Sequence, residues 1–121
     1  MATWTPVDRS EDTLAGGGDI DNEIECGGNG ISSGVLIGFH LQVSASSGGS
    51  HKVTLTIYDD AAKTNILYVD TFDLDTAAKL HTDHVFDPPI PVFETPTVNT
   101  LDVAGGGGKV YKTTFFVQAM D

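Results

Sequence analysis

From Val35 to Val43 apolar residues recur with a period of two: Val35, Ile37, Phe39, Leu41 and Val43 take every second position, with Gly38, His40 and Gln42 among the residues between them. A period of two puts these five side chains on one face of a strand, and that face is expected to be buried. "SASSGGS" then interrupts the pattern with turn residues. It restarts in "HKVTLTIYD", where Val53, Leu55 and Ile57 share one face and Lys52, Thr54 and Thr56 the other. Two alternating runs joined by a Ser/Gly-rich loop predict a β-hairpin with a long connection.

Further along, "DDAAKTN" ends the second run, and "ILYVDTFDL" reads as a third strand rich in β-branched and aromatic residues. "DTAAKLHTD" has room for a single helical turn, too short to stand alone. "HVFDPPIPVFE" is extended, but Pro88, Pro89 and Pro91 cannot donate to a ladder, so it is expected at a sheet edge or broken by a kink. "TVNTLDV" and "KVYKTTFFVQAM" complete the set. About six or seven strands with no convincing helix predict an all-β chain: a single antiparallel β-sandwich or jelly roll.

Residues 1–30 read differently. "SEDTLAGGGDIDNEIECGGNG" is acidic and Gly-rich and keeps no sustained period. An extended N-terminal arm is expected over 1–30, with the β-sandwich domain over 31–121. Trp4, Pro6 and Val7 are the bulky apolar anchors of that arm, placed to dock on the domain or on a neighbouring subunit.

Composition narrows the picture. A chain of 121 residues accommodates one core and no second domain. Its 40% hydrophobic and 19% charged residues suit a folded chain rather than a disordered one. No apolar run is long enough to cross a bilayer as a helix, and "MATWTPVDRSEDT" has no basic stretch leading into an apolar core. Without a secretory signal, the expected routes are to stay where it is made or to leave by particle assembly and lysis. Lys and Arg number 6 against 17 Asp and Glu, a net charge of −11 that argues against binding a nucleic-acid backbone. Cys26 is the single cysteine, so no internal disulfide can form and folding needs no oxidising compartment. It has no sequence partner that would make it a catalytic thiol.

Four stretches invite a chemical reading. "LDVAGGGGKVYKTT" looks like a phosphate-binding loop, but Val103 stands where the leading glycine is needed and Val110 follows Lys109 in place of a hydroxyl residue. An alternating run follows it where a helix is needed, so a glycine-tipped hairpin is expected. "DIDNEIE" resembles the start of a calcium loop, yet Ile24 replaces the sixth-position glycine and Gly30 the twelfth-position glutamate. "HTDHVFD" gathers His81, Asp83 and His84, a donor set for a transition metal. In a strand, however, His81 and His84 point to opposite faces, so a solvated loop is expected there and no metal. Finally, Asp59 with Asp60 and Asp73 with Asp75 are paired carboxylates that nothing in the linear pattern brings into a cleft. No nucleophile motif accompanies them. No enzyme and no cofactor is expected.

The stretches "GVLIGFHLQVSASSGGSHKVTLTIYDD" and "HVFDPPIPVFETPTVNTLDVAGGGGKVYKTTFFVQ" resemble small β-sandwich virion proteins of tailed bacteriophages. The matching elements are Gly34–Val43, Val53–Asp59, Phe86–Phe93 and Thr97–Val117, while the acidic "SEDTLAGGGDIDNEIE" departs from the family pattern. The resemblance implies a non-enzymatic capsid decoration (cement) protein, made in the bacterial host cytoplasm and bound to the outer capsid surface of the virion. It implies the major capsid protein and the chain itself, as a homotrimer, as partners, with no nucleic acid and no membrane. Trp4, Pro6, Val7, Pro88, Pro89 and Pro91 are then the expected interface residues. A tail- or neck-associated virion domain is the alternative within that class. A carbohydrate-binding module is the alternative outside it, with Tyr58, Tyr68, Tyr111 and Trp4 as the aromatics available to stack on sugar.

Overall fold

The computed structural model describes residues 8–15, 19–25, 30–31, 33–43, 52–74, 81–103 and 110–119. Among these the regular elements are all strands: β1 (Asp8–Ala15), β2 (Asp19–Glu23), β3 (Gly34–Val43), β4 (Lys52–Tyr58), β5 (Ile66–Asp73), β6 (His81–Val92), β7 (Thr97–Asp102) and β8 (Val110–Ala119). They form two four-stranded sheets, ordered β1-β8-β3-β6 and β2-β7-β4-β5, and every pairing is antiparallel. The pairs β4 with β5, β3 with β6, β2 with β7 and β1 with β8 nest one outside the next. This is one long hairpin rolled up on itself, the jelly-roll arrangement. The chain is therefore an all-β sandwich, as its alternation predicts.

The inner faces supply the core. Leu36, Phe39 and Leu41 of β3, with Phe115 and Val117 of β8, pack against Val53, Leu55 and Ile57 of β4 and Val98 of β7. Phe39 is the hub of an aromatic cluster. Its ring centroid lies 5.6 Å from Phe72, 5.9 Å from Tyr68, 5.8 Å from Phe86 and 5.7 Å from Phe115. These edge-on and tilted contacts bring β3, β5, β6 and β8 together and close the sandwich on the β5–β6 side.

Rolling the hairpin overturns both short hairpins expected from the sequence. β3 and β4 lie in opposite sheets, and so do β7 and β8, so neither pair shares a ladder. Alternation marks each strand, but sequence neighbours pair only when the connection turns within one sheet. Here β4 and β5 do so, through a turn in which the Asp59 carboxylate accepts 2.8 Å from Asn65 Nδ2 and Lys63 adopts a positive φ of 57°. The "GGGG" stretch thus connects two sheets rather than tipping a hairpin; residues 104–109 themselves lie outside the described set.

A second correction concerns residues 1–30. Asp8–Ala15 pairs with β8 and Asp19–Glu23 with β7, so both belong to the sandwich rather than to an arm before it. Ile24 and Ile31 enter the core as well. Trp4, Pro6 and Val7 lie outside the described residues.

The face of β3 also departs from simple alternation. A register shift between Leu36 and Gly38 turns Leu36 into the core and leaves Val35 and Ile37 half-buried on the other side. Two residues in one strand against one in its neighbour is a bulge, and it reverses the facing of everything on one side of it. Phe39, Leu41 and Val43 keep the expected inward orientation.

Candidate functional site

Among the described residues two surfaces stand out, and both involve β6. This strand is the edge of its sheet, as its prolines predict. Its ladder with β3 runs from Leu36↔Ile90 to Gly38↔Val85, so Phe86 through Pro89 fall between two paired stretches, and the Asp87–Pro88 peptide is cis. The segment is both edge and kinked. It is also a strand from His81 onward, where a solvated loop was expected.

The first surface lies on the outer face of the β1-β8-β3-β6 sheet. Because Phe39 and Leu41 point inward, His40 and Gln42 point outward. Register places Asp83 opposite His40 and His81 opposite Gln42. His40 Nδ1 lies 2.5 Å from Asp83 Oδ1, and its Nε2 lies 3.3 Å from Gln42 Oε1. The His40 and His81 ring centroids are 5.4 Å apart. One donor atom each from His40, His81 and Asp83 fits within a 4.8 Å span. The sequence-derived set His81, Asp83 and His84 therefore breaks up. His84 turns inward, its ring 5.5 Å from Phe39 and 5.1 Å from Tyr68. His40 takes its place, and no linear motif could have named it, because it lies 43 positions from Asp83.

The second surface is the β5–β6 side of the sandwich, where the two edge strands face each other. Asp59, Leu67, Pro91, Val92, Phe93 and Glu94 line a cleft of about 260 Å³. Phe93 is 76% exposed and Val85 69%, with Ile66 and Val69 of β5 also exposed. Pro88, Pro89 and Pro91 are exposed along the same edge. Behind the edge, burial pushes the Tyr68 hydroxyl up to about 12, helped by the nearby Asp70 carboxylate. Tyr68 is thus held neutral as a wall of the core.

Several of the remaining candidates have structural partners. Asp19 and Asp21 project from β2 toward Asn99, whose Nδ2 donates at 2.5 Å to Asp19 and at 2.9 Å to Asp21. Asp21 also pairs with Lys63, so an ammonium already stands where the calcium reading needed a metal. Hydrogen bonds from Lys63 and then Asn99 hold the Asp21 carboxyl below its ordinary 3.8. A lowered carboxylate stabilises the fold in full above the ordinary range, and that contribution disappears as pH falls through the lowered value. The pair is exposed, so the effect is small. Asp21→Asn is expected to narrow the gap between urea midpoints measured at about pH 7 and about pH 3. An unchanged gap would remove the assignment. Asp59, half of one carboxylate pair, is committed to the β4–β5 turn; Asp75 lies outside the described residues.

The sugar-stacking reading loses its central residue. Tyr111 is fully buried, with its hydroxyl 3.4 Å from Asp102 Oδ1. Tyr68 packs inside the aromatic cluster, and Lys63 Nζ stands 5.9 Å over the Tyr58 ring.

No family model and no curated protein matches the sequence. Among solved structures, the chain is similar to a chain of the acidic stable capsid structure of Helicobacter pylori bacteriophage KHP30. The TM-score is 0.58 at 13% identity, covering 100% of this chain and 98% of that one. The likeness is one of fold. It runs end to end over both chains, which are of nearly the same length. The VP2 subviral particle of infectious bursal disease virus aligns with a TM-score of 0.45 at 14% identity, over 98% of this chain but 32% of that one.

Proposed function

We propose that this chain is a bacteriophage capsid decoration protein, a non-enzymatic β domain that binds the outer surface of the assembled head. The observation that carries the reading is the end-to-end likeness to a chain of about equal length in a phage capsid structure. A small jelly roll suits an accessory subunit of the shell. In this reading the partners are the major capsid protein and two further copies of the chain. A homotrimer engages several capsid subunits at once, and effective concentration turns modest contacts into tight retention. Because it binds the lattice and not free subunits, it stabilises the shell by mass action.

The β5–β6 edge is the contact surface in this proposal. Phe93 stands in solvent just past β6, whose Pro88, Pro89 and Pro91 are exposed, and exposed aromatics of this kind anchor interfaces. The prolines remove backbone donors, which discourages indiscriminate strand addition along the same edge.

Incubation with expanded, undecorated phage heads followed by sedimentation tests the reading. The protein is expected to move stoichiometrically into the particle fraction, and Phe93→Asp to reduce that retention by about tenfold or more. Absence of the protein from the head fraction would sink the decoration role. Retention unaffected by Phe93→Asp would move the contact to another face. Recovery on tails alone would favour a tail- or neck-associated domain.

A further inference from the structure

We propose that the outer face of the β3–β6 pair is a divalent transition-metal site, with His40, His81 and Asp83 as its ligands. The inference is independent of the capsid reading, because it rests only on donor chemistry and strand register.

Three features point to it. First, the donor set is two imidazoles and one carboxylate, with ligand atoms inside 4.8 Å on one solvent-facing patch. That composition suits zinc and its neighbours in the first transition row; magnesium and calcium favour sites built from oxygen alone. Second, the scaffold is rigid where it must be. His40 and Asp83 are directly opposed across an antiparallel ladder, and His81 is held two pairs further along on the same face, opposite Gln42. Phe39 and Leu41, fully buried on either side of His40, anchor its backbone. Third, the outer partner of a metal-bound histidine is already in place. A ligating imidazole normally donates its other N–H to an oxygen, and Gln42 Oε1 lies 3.3 Å from His40 Nε2.

These positions define how the site would fill. In the metal-free protein one hydrogen joins His40 Nδ1 to Asp83 Oδ1 at 2.5 Å. The metal takes the place of that hydrogen, and the imidazole proton resides on Nε2, donated to Gln42. Two ligands about 2.0–2.2 Å from a tetrahedral metal are roughly 3.3 Å apart, so the Asp83 carboxylate must draw back. Its side chain is 66% exposed and free to do so. Three protein ligands leave one position for water, and the metal cross-links the edge strand β6 to β3.

Isothermal titration of the full chain, stripped with EDTA and dialysed, with zinc chloride tests the site. One saturable zinc ion per chain is expected, with no matching signal from magnesium chloride. His40→Ala and His81→Ala should each weaken zinc binding by about tenfold or more. Asp83→Asn, which keeps the size of the side chain, should weaken it as well, while Cys26→Ser should leave it unchanged. Circular dichroism of each variant checks that the sheet is retained, as expected for solvent-facing positions. Absence of saturable zinc binding would overturn the proposal. So would parental affinity in His40→Ala or His81→Ala, since zinc would then be held elsewhere.

Discussion

Phe39→Ala is expected to destabilise the fold by about 3–5 kcal/mol, close to the whole stability of many domains of this size. Phe39 has 0% exposure, and its ring meets side chains from both sheets: Phe115 and Phe86 on its own sheet, Tyr68 and Phe72 on the other. Truncation removes the transfer energy of the ring and leaves a cavity that four aromatic neighbours cannot all collapse into. The directional contacts are lost as well, and such ring pairs contribute roughly 0.5–1.5 kcal/mol each beyond buried area. Urea denaturation followed by intrinsic fluorescence or circular dichroism reads the change. Phe116→Ala provides the control. That residue points outward from β8 with 41% exposure, so its removal is expected to stay within about 0.5–1 kcal/mol. Comparable losses in the two variants would mean that Phe39 is not the hub.

Gly38→Ala is the second large effect, expected at about 1–3 kcal/mol despite adding a single methyl group. A Cβ at Gly38 would overlap the His84 carbonyl oxygen and come within 3.2 Å of Val85 Cα and 3.3 Å of the His84 carbonyl carbon. All three are backbone atoms of β6, so no side chain can swing aside. The edge strand must move instead, next to the bulge where the β3 register shifts. The expected result is a lower urea midpoint, together with faster amide exchange concentrated in β6. Parental stability with unchanged β6 protection would show that the two strands have room to spare.

Both effects fall on the aromatic and glycine positions of β3, yet the sequence makes only one of them visible. Phe39 sits in an alternating run, and alternation alone assigns it to a buried face. Gly38 reads in the same run as an unremarkable spacer, since nothing local says that β6 passes so close. The same division separates the two candidate surfaces. The prolines at 88, 89 and 91 identify an edge strand from composition, because a missing amide cannot serve a central ladder. The exposure of Phe93, by contrast, is set by the sandwich, which leaves it in solvent.

The N-terminal strands were hidden for a related reason. "DRSEDTLA" and "DIDNE" lack the apolar alternation that marks a buried face, so they resemble a polar arm. They are strands because β8 and β7 offer them open ladders, and backbone hydrogen bonding asks little of the side chain.

From sequence alone, the period-two runs determined that the chain is all-β, and the prolines restricted one strand to a sheet edge or a kink. Side-chain period and a missing amide are properties of the residue and its immediate neighbours, so they survive in one dimension. Only the tertiary structure decided that β3 pairs with β6 rather than β4, that Leu36 faces the core, and that His40 rather than His84 joins His81 and Asp83. Strand partnership depends on how the whole hairpin rolls to bury both inner faces at once, and that long-range competition leaves no mark on any single stretch of the chain.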